Sequence, residues 1–124
     1  MRLLVDTHAA LWLLADDRRL SNRAGELLSD PRNEVILSAV VVWEVAIKRS
    51  LGKLDAPDGF ADLFVDAGAD PLPIRIDHAR AVRTLPWHHR DPFDRLLVVQ
   101  AQHEQASIVS DDKRLAAYGV RVAW

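Results

Sequence analysis

Cysteine is absent from this chain of 124 residues, and its absence excludes several kinds of chemistry. Without a thiol the protein forms no disulfide, no thiolate zinc site and no cysteine nucleophile. Structural disulfides are typical of oxidising compartments, so a sequence without cysteine favours the cytoplasm.

Long hydrophobic runs and a large excess of one charge sign are also missing. No apolar stretch approaches the ~20 residues that a membrane-spanning helix needs, and Met1-Arg2 leads directly into a strand-like run rather than a secretory leader. We therefore expect no membrane association. The formal net charge of −2 gives no overall attraction to nucleic acid. Binding to a polyanion would depend on local basic groups or on a metal ion.

The composition is that of a folded globular protein, with 49% apolar and 27% charged residues. The length is close to the commonest domain size and is sufficient for one hydrophobic core. The sequence contains no internal repeat, low-complexity tract or linker. We therefore predict a single domain over residues 1–124.

Short apolar runs alternate with helical patterns along the whole chain. The predicted strands are residues 2–5, 34–37, 70–74, 107–110 and 120–123. The predicted helices are residues 9–14, 20–28, 39–51, 58–66, 77–84, 92–104 and 113–118. This alternation predicts an α/β fold with a mainly parallel sheet covered by helices on both faces. Pro71 and Pro73 place the third strand at an edge of that sheet.

Acidic residues repeatedly follow a predicted strand or open a predicted helix. Asp6 follows the first strand, Asp111 and Asp112 follow the fourth, and Asp91 and Asp94 flank the first turn of a helix that opens with proline. In an open parallel sheet the carboxyl ends of the strands line the ligand crevice. Crowded carboxylates repel one another unless a hard cation lies between them. The pattern therefore predicts a magnesium-type site.

Each acid also has a purely structural explanation. Aspartate is a common helix N-cap, so Asp6 and one member of each later pair could simply begin a helix. Glu44 lies within the apolar stretch 40–47, where an unpaired charge is expensive to bury. Its alternative role is an ion pair with Lys48, four residues later, on a solvated turn of an amphipathic helix.

The histidines do not predict a zinc site. His88 and His89 are adjacent and so point in different directions, and neither has a second histidine or a cysteine at ligand spacing. His8 is close to Asp6 in the sequence, but a residue at the start of a helix needs no functional explanation.

Four segments, in order along the whole chain, resemble the motifs of the PIN-domain family, and within it the VapC-type toxin ribonucleases of bacterial and archaeal toxin–antitoxin pairs. The segments are Leu4–His8, Ser38 with Trp43–Lys48, His89–Leu97 and Val109–Asp112. The run Asp-Pro-Phe-Asp-Arg-Leu-Leu at residues 91–97 is the most distinctive of them.

The resemblance implies a three-layer α/β/α sandwich with catalytic acids gathered at one end of the sheet. Carried over by motif, the catalytic and metal-binding acids are Asp6, Glu44, Asp94 and Asp112, and Asp91 is an additional metal-binding acid of this subgroup. Asp91 and Asp111 are expected mainly to cap or support helices. Ser110 stands where threonine is commoner, which keeps the hydroxyl. The implied cofactor is Mg2+, which Mn2+ could replace.

The resemblance also implies a function and partners. It implies a metal-dependent endoribonuclease that hydrolyses RNA phosphodiester bonds, inhibited by a VapB-type antitoxin. It further implies a homodimer, with operator DNA bound only through the antitoxin. Five basic residues near the acids could hold flanking phosphates, namely Lys48, Arg90, Arg95, Lys113 and Arg114.

Two other classes of protein remain alternatives. A phosphoacceptor receiver domain has a similar length and sheet. A chain resembling that class would have an acidic pair after strand one, whereas Asp6 stands alone here. A non-catalytic binding module with the same fold would be expected to lack some of the acids, and all four are present. Labelling by a small phosphodonor would favour the first alternative. Absence of metal-dependent RNA cleavage would favour the second.

Overall fold

The strands of the protein form one five-stranded sheet in which every neighbouring pair is parallel. A computed structural model describes all residues from Met1 to Trp124. The strands are β1 (Arg2–Val5), β2 (Glu34–Ser38), β3 (Asp70–Leu72), β4 (Ser107–Val109) and β5 (Val122–Ala123). They lie in the order β3-β2-β1-β4-β5. The predicted α/β fold is confirmed, and the sheet is parallel throughout.

Helices connect the strands. The α-helices are α1 (Thr7–Leu14), α2 (Asn22–Ser29), α3 (Ala39–Ser50), α4 (Phe60–Asp66), α5 (Ile76–Ala81) and α6 (Pro92–Glu104). Two 3-10 helices lie at Val82–Thr84 and Lys113–Tyr118. The last helix was expected to be α-helical. It is a 3-10 helix instead. It ends at Gly119, whose left-handed conformation (φ 78°) glycine adopts without steric cost.

The central strands are buried on both faces. Leu3, Leu4 and Val5 of β1 are all 0% exposed, and so are Ile108 and Val109 of β4. Because successive side chains of a strand point to opposite faces of the sheet, both faces are covered by helices. The molecule is therefore an α/β/α sandwich.

The edge position of the proline-containing strand is confirmed. β3 pairs only with β2, and Pro71 lies opposite Leu37. Proline has no N–H to donate, so it is tolerated where one side of the strand has no partner. The last strand is shorter than expected, with only Val122 and Ala123 paired to β4.

The chain reverses its direction across the sheet next to β1. It runs from β1 to β2 and β3 on one side, then crosses to β4 and β5 on the other. Such a reversal opens a crevice at the carboxyl ends of the two strands beside it. The backbone N–H of Asp6, directly after β1, donates to the carbonyl of Val109 at the end of β4 (3.1 Å) and so joins the two sides of the crevice.

None of the helices combines the length and the apolar character that crossing a bilayer requires.

Candidate functional site

A cleft of about 540 Å³ opens at this crevice, at the carboxyl ends of β1 and β4. Five of its nine lining residues are aspartates, so its charge is strongly negative. The lining residues are Asp6, His8, Trp12, His89, Asp91, Asp94, Asp111, Asp112 and Arg114.

Asp6 combines a capping role with a place in the cleft. Its Oδ1 accepts the backbone N–H of Ala9 (2.8 Å) as the N-cap of α1. The side chain is buried, and burial raises the pKa of Asp6 to about 6. This value already includes a lowering by the neighbouring Ser110 side chain and by the Ala9 N–H. The predicted capping role of Asp6 is therefore confirmed, and the same buried side chain also lines the cleft.

Asp91 and Asp94 divide the start of α6 between them, as expected. Oδ1 of Asp91 accepts the backbone N–H groups of Phe93 (2.8 Å) and Asp94 (3.1 Å), so Asp91 is the cap. Burial, together with the charges of Asp91, Glu44 and Asp6, raises the pKa of Asp94 to about 7, against a lowering by His89. The repulsion between the acids is thus greatest at Asp94.

The expected division of the last pair is wrong. Asp112, and not Asp111, caps the 3-10 helix Lys113–Tyr118, because Oδ1 of Asp112 accepts the backbone N–H of Arg114 (3.0 Å). The Arg114 guanidinium also donates to both carboxylate oxygens, at 2.9 and 2.7 Å, and holds the pKa of Asp112 well below its usual range. Asp111 is exposed at the rim of the same cleft. A single aspartate can therefore cap a helix and face the cleft.

Glu44 is buried in α3 and has two partners. The hydroxyl of Thr7 donates to Oε1 (2.6 Å), and Lys48 forms an ion pair with Oε2. The i,i+4 pair considered from sequence exists, but Glu44 is only 4% exposed, so it does not lie on a solvated turn. Its charge reaches the cleft, because it raises the pKa of Asp94.

His89 is the residue of the cleft that sequence reasoning missed. The buried imidazole places Nε2 2.9 Å from Oδ2 of Asp112 and 3.4 Å from Oδ2 of Asp94. These three residues form the one group of three potential metal-binding side chains whose ligand atoms lie within 4.8 Å of one another. A criterion that requires a second histidine or cysteine at ligand spacing does not detect this group, because the partners of His89 are the carboxylates of Asp94 and Asp112. Its place in the segment that carries Asp91 and Asp94 is the signal that could have found it.

The structure thus brings the predicted acids together to different degrees. Asp94 and Asp112 converge on His89. Asp6 and Glu44 act on Asp94 through their charges without joining that group of three.

Arg95 does not face the cleft, in contrast to the sequence expectation. It is 2% exposed, and its guanidinium donates to the backbone carbonyls of the preceding loop. The accepting carbonyls are Pro86 (2.8 Å), Leu85 (3.1 Å), Val82 (3.4 Å) and His89 (3.4 Å). The indole of the exposed Trp87 covers it at 3.7 Å from the ring centroid. Arg95 therefore fixes the loop that carries His89.

The remaining basic candidates differ in their environment. Lys48 and Arg114 are paired with acids of the site. Arg90 and Lys113 are exposed, and neither lines the acidic cleft.

The donor set suits a hard divalent cation. Carboxylate oxygens are the ligands that Mg2+ and Mn2+ prefer. The raised pKa values of Asp6 and Asp94 show that the site disfavours their negative charges when no cation neutralises them.

Comparison with known proteins gives the class of this fold and site. The model of the PIN domain family matches residues 3–120, so the chain belongs to the PIN-domain family. Ribonuclease VapC16 from Mycobacterium tuberculosis (strain ATCC 25618 / H37Rv) is 39% identical over 62 residues, a match that covers 47% of this chain and 43% of that protein. The matched segment therefore spans less than half the length of this relative.

Solved structures share the fold along nearly the whole chain. VapBC2 from Rickettsia felis, bound to a DNA fragment from their promoter, superposes with a TM-score of 0.70 at 14% identity, over 98% of this chain and 97% of that one. FitAcB from Neisseria gonorrhoeae gives a TM-score of 0.60 at 19% identity, over 97% and 95% of the two chains. At such identities the likeness establishes the fold.

The raised pKa of Asp94 predicts a pH-dependent stability in metal-free solution. A carboxyl whose pKa is raised from 3.8 to about 7 on folding stabilises the protein while protonated, and this contribution is lost as the pH rises through 7. Asp94→Asn lacks the ionisation. The melting temperature of Asp94→Asn minus that of wild type should therefore increase between pH 5 and pH 8. This increase corresponds to about 1–2 kcal/mol of unfolding free energy, a value kept low because Asp94 is partly exposed and solvent screens its charge.

The control for this measurement is Asp66→Asn. Asp66 is exposed at the end of α4, toward the amino end of the neighbouring strand β3 and away from the cleft. Its melting temperature should follow that of wild type at every pH. A constant difference between Asp94→Asn and wild type across pH 5–8 would contradict the raised pKa.

Replacement of Arg95 should destabilise the protein through the loop that it fixes. Arg95→Met keeps the length of the side chain but leaves the loop carbonyls without their donor, so we expect the free energy of unfolding in urea to fall by about 2–4 kcal/mol. Arg83→Met, at an exposed arginine of the same segment, is the control and should change it by less than about 0.5 kcal/mol. Equal stability of the two variants would show that the buried arginine is dispensable.

Proposed function

We propose that this protein is a metal-dependent endoribonuclease that acts as the toxin of a toxin–antitoxin pair. The observation that carries the proposal is the convergence of Asp6, Asp94 and Asp112 on one crevice, with Glu44 close enough to raise the pKa of Asp94. Membership of the PIN-domain family and the similarity to ribonuclease VapC16 support it.

The proposed ligands of one or two Mg2+ ions, or of Mn2+ in their place, are Asp6, Glu44, Asp94 and Asp112, with Asp91 nearby. When bound, such an ion neutralises a phosphate oxygen, lowers the pKa of a water molecule and stabilises the leaving 3′-oxygen. The protein holds the acids in place through backbone hydrogen bonds. Asp6 is fixed by the N–H of Ala9, and Asp112 by the N–H of Arg114.

Lys48 and Arg114 are the basic residues best placed for flanking phosphates. Each already lies beside an acid of the site, Lys48 on Glu44 and Arg114 on Asp112. With those carboxylates bound to a cation, Lys48 and Arg114 would be available to a phosphate oxygen beside the cleft. Arg95 has no part in this role, because it is buried.

A VapB-type antitoxin is the partner that the family resemblance implies. The fold shared with VapBC2 from Rickettsia felis, which is bound to promoter DNA, supports an assembly that reaches operator DNA through the antitoxin. We further propose a homodimer in the cytoplasm, where RNA and operator DNA are both present. Exposed apolar side chains such as Trp43 (50% exposed) and Ile76 (77% exposed) offer surface for self-association.

Removal of one charge from the site should abolish RNA cleavage. Asp6→Asn, Glu44→Gln and Asp94→Asn keep the shape of each side chain but remove a proposed ligand. We therefore expect Mg2+-dependent cleavage of a mixed single-stranded oligoribonucleotide to fall on the order of 100-fold or more. Thermal unfolding checks that each variant is folded. Near-normal cleavage by Asp6→Asn would contradict the shared metal site.

Asp91→Asn should retain more activity than Asp94→Asn. Asparagine is also a good N-cap, and its Oδ1 can accept the N–H groups of Phe93 and Asp94 as Asp91 does. Initial cleavage rates under the same conditions compare the two variants. Equal and complete loss in both would assign Asp91 to direct metal binding.

Sequencing the 5′ ends of cellular RNA after induction of the wild-type protein would identify the RNA that is cleaved.

Mg2+ should raise the melting temperature of the protein. A ligand that binds only the folded state stabilises it by RT ln(1 + [L]/Kd), about 1.4 kcal/mol at roughly tenfold excess over Kd, which corresponds to a shift of a few degrees. The triple variant Asp6→Asn, Glu44→Gln, Asp94→Asn should not respond.

Ionic strength must be constant in this comparison, because general salt effects also shift melting temperatures. Asp66→Asn, far from the cleft, should respond to Mg2+ as wild type does. An identical response of wild type and the triple variant would show that the acids bind no cation.

A further inference from the structure

We infer that His89 is a positioning residue that donates its Nε2–H to Asp112 and is not itself a ligand of the metal ion. The inference rests on the proposed function, because it assigns a role within the same cleft. The close grouping of His89 with Asp94 and Asp112 would allow either of two roles, direct metal binding or positioning of a carboxylate, and we infer the second.

The hydrogen bonds of the ring determine where its proton lies. The backbone N–H of Asp91 donates to Nδ1 of His89 (3.1 Å). A ring nitrogen that accepts a hydrogen bond carries no proton, so the proton of the neutral imidazole is on Nε2. Nε2 faces Oδ2 of Asp112 at 2.9 Å, a normal donor–acceptor distance. A metal ion would need an unprotonated Nε2, and the N–H of Asp91 opposes the shift of the proton to Nδ1.

The backbone of His89 is fixed as firmly as its ring. Its N–H donates to the hydroxyl of Tyr118 (2.9 Å), and its carbonyl accepts from the Arg95 guanidinium (3.4 Å). Rotation of the ring by 180° would turn a carbon atom toward the N–H of Asp91 and remove the acceptor of that donor. The orientation of the imidazole is therefore determined from three directions.

A neutral donor at this position has a specific effect on the carboxylates. Nε2 lies 2.9 Å from Oδ2 of Asp112, its hydrogen-bond partner, and 3.4 Å from Oδ2 of Asp94. A neutral imidazole thus holds Oδ2 of Asp112 close to Asp94 without adding a positive charge that would compete with a cation. The exposed Arg114 side chain donates to both oxygens of Asp112, and His89 is the buried donor to Oδ2.

The tautomer can be read directly by NMR. Long-range 1H–15N correlation spectra of the histidine rings in the full-length protein should show His89 protonated on Nε2 and not on Nδ1, both without metal and with saturating Mg2+. A proton on Nδ1, or loss of the Nε2 proton when Mg2+ is added, would overturn the inference.

Two substitutions separate the donor from the acceptor of the ring. His89→Gln places an amide N–H near the position of Nε2 and keeps the donor to Asp112. His89→Asn places an amide oxygen near Nδ1 and has no donor that reaches Asp112. In calorimetric titrations with Mn2+, we expect His89→Asn to weaken binding about 10–100-fold, as loss of a supporting hydrogen bond does, and His89→Gln to stay close to wild type.

The matched control is His88→Asn, at the exposed neighbouring histidine, which should bind Mn2+ as wild type does. Thermal unfolding confirms that each variant is folded. Wild-type affinity in His89→Asn would overturn the inference and leave the proposed function intact. Absence of Mn2+ binding by the wild-type protein would contradict the proposed function itself, and with it the role of His89.

Discussion

The repulsion between carboxylates in one partly buried crevice is the constraint on which the rest of this structure depends. Burial, with a smaller contribution from Asp111, raises the pKa of Asp6 to about 6, and burial with neighbouring acids raises that of Asp94 to about 7. A fold gains nothing in stability from such crowding. The surrounding elements instead compensate for it, through helix caps at Asp6, Asp91 and Asp112 and through basic partners at Glu44 and Asp112.

The sequence predicted the fold and the convergence of Asp6, Asp91, Asp94 and Asp112 on one crevice, because both follow from where acids stand relative to apolar runs. Apolar runs that end in aspartate indicated parallel strands with acids at their carboxyl ends, and the prolines of the third strand indicated an edge. The division between Asp111 and Asp112 was wrong because capping and facing the cleft were treated as exclusive roles. In the structure Asp112 does both, since Oδ1 accepts the N–H of Arg114 while Oδ2 meets His89.

The roles of His89 and Arg95 depend on contacts between distant parts of the chain, so no local pattern reveals them. Arg95 follows Asp94 and resembles a phosphate-binding residue in the sequence. It turns inward because the loop before α6 presents four carbonyls to it. Tyr118, 29 residues after His89, accepts the N–H of His89. The loop before α6, the buried Arg95 and the 3-10 helix that ends at Tyr118 therefore form one unit. This unit fixes the imidazole of His89 against Asp112.

Under the proposed function, the same arrangement would reconcile an acidic cleft with a polyanionic substrate. The metal-free site is partly neutralised by its own cations, Lys48 on Glu44 and Arg114 on Asp112. A divalent ion held by these carboxylates would compete with both ion pairs, and Lys48 and Arg114 would then be free to contact a phosphate beside the cleft. RNA would then meet a metal ion flanked by positive groups, although the chain carries a formal net charge of −2. Under the proposed function, metal binding and phosphate binding would thus be coupled, because both draw on the same carboxylates.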